Sequence, residues 1–312
     1  MKKLYSYLFL AVAFVLAAAC SKPEQDAFDA AEMVDVNFTI QAENVATRAI
    51  SDGTKADQLY YVIFKGDEAG TKTTVEATLD NVTFPYTLTL RLAKGNDYTA
   101  FFFAQNTELQ AYTITTADGC SAILEADYSK MATDDDDADA FYNYHEFSVT
   151  GTISENVTLY RAVAQVNVGT LDFTEFNATA SSPIANVVTR FEDLATKVQL
   201  LDGTVLESTD AFTTFIPVDT PMAEESLTVS ETEYEWVSMN YVLAPKAANA
   251  LINAQYILNA QDQSQVTTIS VSNVPVQMNY RTNILGQLLT GEVEFNIVID
   301  ENFNTPDFVV NY

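Results

Sequence analysis

The run Ala132–Phe141, ATDDDDADAF, carries five carboxylates in six positions. A hard cation such as calcium needs oxygen ligands spaced along a turning loop, with glycine at the sharp bend. Here the acids are contiguous and no glycine follows, so repulsion is expected to hold the loop at 134–139 open in water. His145, in FYNYHEF, is the single histidine of the chain. One imidazole without a histidine or cysteine partner builds no zinc site, so a packed or surface histidine is expected. Tyr234, Trp236 and Tyr241 offer a face on which a sugar ring stacks, but aromatics at this frequency fill a β core equally well, and core is the expectation. The 43 acidic residues include no pair whose spacing marks it for glycoside hydrolysis. Nor is there a Gly-x-Ser-x-Gly elbow, a phosphate-binding glycine loop or a His-Glu-x-x-His. These residues predict no enzyme, no cofactor and no metal.

The chemistry that does stand out lies at the start. Residues 1–19 place Lys2 and Lys3 before an apolar run that ends in Ala17-Ala18-Ala19, followed at once by Cys20. That is an export signal, too short and wrongly flanked for a retained membrane span. Small residues let a peptidase reach the backbone, and the Cys20 thiol would then carry the lipid, as at a bacterial lipobox, although Ala17 stands where leucine is usual. The expected address is the outer membrane and cell surface. Residues 20–33 read as an acidic tether. Cys120 is the only other cysteine, so no internal disulfide is expected and burial alone must hold the fold. Losing Lys2 and Lys3 takes the formal charge from −28 to −30, which argues against nucleic acid or anionic lipid as a partner.

From Val34 onward the pattern is period-two alternation. Val34, Val36, Phe38 and Ile40 share one face, and Phe84, Tyr86, Leu88, Leu90 and Leu92 repeat the pattern, the mark of half-buried strands. YTAFFFAQN (98–106) is apolar on both faces, as a central strand of a packed sandwich should be. ENVTLYRAVAQVNVGTLDF (155–173) reads as a long strand or a strand pair with Tyr160, Ala162, Ala164, Val166 and Val168 facing one way. TEFNATASSPIANV (174–187) has no clear period, and a domain join is expected near residue 170. ANVVTRFEDLATKVQL and NILGQLLTG could each hold one short helix. The class is all-β, built of sandwiches, with domains at 34–169 and 170–312.

Arg48 raises a separate question. A good strand ends in a small, exposed-looking Thr47-Arg48-Ala49, after which the chain starts again. Together with Cys20, LYRAVAQVNV (159–168), NYVLAP (240–245) and VQMNYRTNILGQLLTG (276–291), this segment resembles the Bacteroidales fimbrillin family, the lipoprotein subunits of type V pili. The resemblance implies two tandem transthyretin-like β-sandwich domains. It also implies an extracellular Arg-specific protease that cuts between Arg48 and Ala49, 28 residues after Cys20, and removes a first strand within 34–48.

A sandwich that lacks one strand exposes unpaired N–H and C=O groups beside an apolar slot, and an extended segment of another subunit can add there. Val34, Val36, Phe38 and Ile40 would fill the slot until cleavage. The candidate donor is 292–312, through Val293, Phe295, Ile297 and Ile299, with Phe308 and Val310 as a second short set. The expected function is that of a structural fimbrial subunit contributing to adhesion, with other fimbrillin subunits, the protease and the outer membrane as partners. The alternative is a surface lipoprotein of the same fold that stays anchored and binds a host or glycan ligand. An enzyme acting on polysaccharide ranks last, for want of a site.

Overall fold

A computed structural model describes residues 32–43, 53, 55–66, 73–117, 119–218, 226–290, 294–301 and 305–311. The chain is all-β. Its first strands are β1 (Met33–Ala42), β2 (Gln58–Lys65), β3 (Thr73–Leu79), β4 (Tyr86–Ala93), β5 (Asn96–Gln105), β6 (Tyr112–Ala117), β7 (Ser121–Ala126), β8 (Phe141–Val149) and β9 (Ile153–Arg161). There follow β10 (Ala164–Thr170), a short helix α1 (Phe173–Thr179), β11 (Asn186–Glu192), β12 (Leu194–Gln199), β13 (Val205–Thr209), β14 (Thr213–Thr214) and β15 (Ser226–Val229). The last are β16 (Thr232–Val242), β17 (Ala250–Asn259), β18 (Gln265–Val276), β19 (Tyr280–Gln287), β20 (Glu294–Glu301) and β21 (Thr305–Asn311). Among the described residues no helix is long and apolar enough to cross a membrane.

One sheet runs β3-β2-β5-β8-β9-β1-β4. Its middle is nearly torn: β8 and β9 pair only through Phe141↔Arg161 and Tyr142↔Tyr160. The two parts therefore fold over each other, and Phe38 of β1 meets Phe102 of β5 edge-on, with ring centroids 5.4 Å apart. Between them lies a core of Val36, Phe38, Ile40, Leu59, Ile63, Phe102, Val157 and Leu159. β5 is buried on both faces, as its sequence predicts, because Ala100, Phe102 and Ala104 look into this core while Phe101 and Phe103 look into a second one.

The second core joins three further sheets, ordered β15-β16-β10-β19-β20-β21, β14-β11-β17-β18 and β13-β12-β7-β6. Met33–Tyr312 packs as one compact unit. β10 ends where the domain join is expected, yet its ladders run to β16 and β19. The β6–β7 hairpin likewise pairs with β12 across that join.

Several local expectations give way. The supposed helix in ANVVTRFEDLATKVQL is β11 and β12, which Asp193 separates at φ 64°. NILG, the start of the second supposed helix, completes β19. Conversely α1 forms in the segment without period, where Glu235 accepts from the Phe173 N–H at 2.7 Å and so satisfies an open amide of its first turn. The pair β9 and β10 also breaks the expected common face. Tyr160 is 45% exposed while its neighbours Leu159 and Arg161 are fully buried, because the chain crosses between sheets at Ala162-Val163.

The acidic run is not a loop held open in water. Asp134 accepts from the Met239 N–H at 2.6 Å, Asp135 from the Asp137 N–H at 3.0 Å, and Tyr241 donates to Asp136 at 3.4 Å. Asp139, 2% exposed, takes the Nε of fully buried Arg161 at 2.9 Å. Partners on β16 and β9, with one backbone N–H inside the run, offset the mutual repulsion of contiguous acids. Among the described residues no group of three His, Cys, Asp or Glu side chains is placed to hold a metal ion.

Replacing Asp139 with Asn removes the carboxylate that faces the buried Arg161 guanidinium. The expected loss of stability is roughly 3–5 kcal/mol, from the rule for breaking one side of a buried ion pair. Equilibrium denaturant unfolding of the variant beside the parent checks it.

Candidate functional site

β1 is an internal strand. It pairs antiparallel with β4, from Met33↔Ala93 to Ile40↔Tyr86, and parallel with β9, from Val36↔Ile153 to Ala42↔Leu159. The two ladders consume its backbone groups on both edges, so nothing but another extended segment can replace it without orphaning β4 and β9. Its alternation does the rest. Val36, Phe38 and Ile40 are fully buried and Val34 partly so, against Leu88, Leu92, Val157 and Leu159. Those three buried side chains stabilise the strand by roughly 5–9 kcal/mol before ordering costs.

The outward residues fix its register. Thr89 donates to Asn37 at 2.8 Å, and Gln41 donates to the Thr158 hydroxyl at 3.2 Å. At the gap where β8 and β9 part, His145 and Glu155 close to 3.0 Å. The imidazole lies edge-on to Phe38, 6.5 Å between centroids, and stacks on Phe147. His145 is thus a packed residue that props the first strand.

A pocket of about 650 Å³ lies beside the end of β1, lined among others by Ala42, Glu43, Ala56, Val82, Phe84 and Pro85. Glu43 closes the strand, its N–H bonded to the Leu159 carbonyl at 2.8 Å. Burial pushes its carboxyl above the ordinary 4.5, opposed by the Arg161 charge and a hydrogen bond from Asn279. The sequence pattern alone did not flag Glu43, because its weight comes from Arg161 and Asn279, both remote in the chain.

The candidate donor residues divide. β20 is itself internal, between β19 and β21, and Ile297 is fully buried in the chain's own second core with Phe295 packed against that core. Ile299 lies on the same strand and is half-buried. Phe308 and Val310 lie on β21, which among the described residues pairs with β20 alone and forms the edge of its sheet. Cys20, Arg48, Ala49 and Val293 fall outside the described residues. Trp236 and Tyr241, each 2% exposed, are core, with Tyr234 packed against them; no sugar platform forms there.

The GQLLT segment has a physical anchor that sequence reading missed. Asp172 accepts from the N–H groups of Leu288, Leu289 and Thr290 and from the Thr290 hydroxyl. Partial burial raises its carboxyl, but these donors and the Thr170 hydroxyl outweigh it and hold the group below its ordinary value. The clamp ties β10 to the turn after β19.

A family model covers residues 26–311. The chain belongs to the family of unknown function DUF6562. No curated protein sequence matches it. Among solved structures, it is similar to the tip fimbrial protein Mfa3 of Porphyromonas gingivalis, with a C-terminal truncation, at 13% identity and TM-score 0.49 over 86% of this chain and 100% of that one. A fimbrial assembly protein of Parabacteroides distasonis matches at 11% and 0.49, over 90% and 99%. The fimbrial anchor protein Mfa2 of Porphyromonas gingivalis matches at 10% and 0.44, over 89% and 99%. At such identities and scores the likeness says nothing of what this chain does.

The sign of the Glu43 shift gives a test of how β1 is held. A raised carboxyl means that the charged form is penalised in the fold, so the penalty is absent in acid and grows as pH rises through the folded value. Glu43→Gln is expected to raise the thermal midpoint at neutral pH and to leave it unchanged below the ordinary glutamate range. Thermal unfolding at the two pH values checks it.

Proposed function

We propose that this chain is a structural subunit of a cell-surface fimbria, exported as an outer-membrane lipoprotein on Cys20 and assembled by replacement of its first strand. One observation carries the reading: β1 is an internal strand between β4 and β9, and its covalent link to β2 runs through the segment that holds Arg48. A cut between Arg48 and Ala49 by an Arg-specific extracellular protease leaves β1 held by non-covalent contacts alone, so that another strand can displace it. The same cut severs the lipid on Cys20, so one hydrolysis both opens the groove and frees the subunit from its tether.

Once β1 leaves, β4 and β9 face each other across unpaired backbone groups and an apolar slot floored by Phe102 and Phe147, the rings that contact Phe38. Strand addition from a neighbouring subunit satisfies both at once. Before the cut β1 keeps the groove shut, which prevents polymerisation during export. The edge strand β21 supports the role of donor better than β20, because removing β20 would take Ile297 out of the chain's own core.

Arg48→Ala is expected to give a stable, lipid-bearing monomer that forms no high-molecular-weight ladder on unheated gels. Mass spectrometry of surface-shed parent protein is expected to find a mature N-terminus at Ala49. Lipid retained on Cys20 in every parent molecule, with no ladder, would instead favour an anchored surface lipoprotein that binds a ligand without polymerising.

A further inference from the structure

Where the crossing of β8 and β9 meets the second core lies a pocket of about 270 Å³, separate from the one beside β1 and lined among others by Tyr142, Tyr144, Tyr160, Leu201, Lys246 and Met278. Tyr142 and Tyr160 are opposite each other in the short β8–β9 ladder, so both rings stand on one side of it. Tyr160 is 45% exposed. Tyr142 is held in place, its hydroxyl donating to the Met278 sulfur at 3.3 Å and its ring meeting Tyr144 edge-on with centroids 6.3 Å apart. The Lys246 Nζ stands 5.7 Å from the Tyr142 ring centroid. The backbone that carries this lysine is fixed as well. Its N–H bonds the Gly203 carbonyl at 3.3 Å, and its carbonyl accepts from Gln277 at 2.9 Å. A Cβ on Gly203 would come within 2.1 Å of the Lys246 Cβ, so only glycine lets the two loops meet. The ammonium is exposed and, among the described residues, has no carboxylate partner. Asp202, on the same turn as Gly203, accepts from the Thr204 N–H at 2.9 Å instead.

An exposed aromatic face beside an uncompensated cation fits a ring that has C–H bonds on one face and a negative charge at its edge. A volume of about 270 Å³ falls below the roughly 300–1,000 Å³ of sites for drug-sized ligands, so it takes one six-membered sugar ring and not an extended chain. The formal charge of −28 repels a polyanion, which favours a ligand with one acid group at the site. We propose that this pocket binds a single hexuronic acid residue of a glycan, with the Tyr160 ring against the sugar's C–H face and the Lys246 ammonium on its carboxylate. A peptide carboxylate would meet the same ammonium but leave the ring face uncovered. None of the six residues lies on β1, so the site goes beyond strand replacement and is present whether or not that exchange occurs.

The test titrates the full chain with methyl β-glucuronide, methyl β-glucoside and N-acetyl-aspartate amide, followed by ligand-observed NMR. The glucuronide is expected to bind, the glucoside to bind about three- to fivefold more weakly, and the aspartate derivative to bind more weakly than either. Lys246→Gln should lower glucuronide affinity to that of the glucoside and leave the glucoside unchanged. Tyr160→Ala should weaken both sugars by about fivefold. Both side chains are exposed, so an unchanged thermal midpoint shows that each variant is folded. Lys65→Gln, an exposed lysine on β2, is the control and should change nothing. Equal binding of glucuronide and glucoside by the parent, or an aspartate derivative that binds as well as the glucuronide, overturns the acid-sugar assignment. A loss at Lys65→Gln as large as at Lys246→Gln, or binding of none of the three probes, overturns the site itself.

Discussion

An internal β-strand must have both of its backbone edges bonded, and that constraint governs the first half of this molecule. β4 and β9 do not pair with each other; each pairs with β1. Whatever lies between them must be extended and must turn apolar side chains inward at alternate positions. The chain meets both conditions with its own first strand, and any segment that replaces it has to meet the same two. Specificity at this site is therefore a matter of register and of side-chain size, since the backbone bonds are common to every candidate.

Most of the fold packs without side chains from this strand. The second core, with the sheets built on β10, β11 and β12, contains none of the β1 side chains. Its integrity depends on contacts remote from the groove, such as the three backbone amides gathered by Asp172. Around β1 the sheet itself is less continuous. β8 and β9 barely pair, His145 and Glu155 bridge the opening, and the far end is left with a cavity beside small residues.

Period-two alternation made β1 and β4 legible in the sequence, and a run apolar on both faces marked β5, because each packs its apolar side chains against apolar neighbours. Where burial is set by remote contacts, alternation failed. Tyr160 shares a period with Val166 and Val168 but not a sheet, since two residues between β9 and β10 redirect the chain. β11 and β12 hide their period behind Arg190, Lys197 and a left-handed Asp193. The acidic run looked unstable in isolation, yet Met239, Tyr241 and Arg161, all distant in sequence, give its members partners. For the groove, the filling residues Val36, Phe38 and Ile40 were readable from their spacing. The cavity, the role of Glu43 and the internal position of β20 required the neighbours that only the folded chain supplies.

The account stands on the identity of the strand between β4 and β9 in the assembled form. An electron cryomicroscopy reconstruction of polymer shed from the cell surface measures it directly. The account predicts that β4 and β9 flank a segment contributed by the neighbouring subunit, with Met33–Ala42 missing from every copy. Finding each subunit's own Met33–Ala42 still seated between them would contradict it.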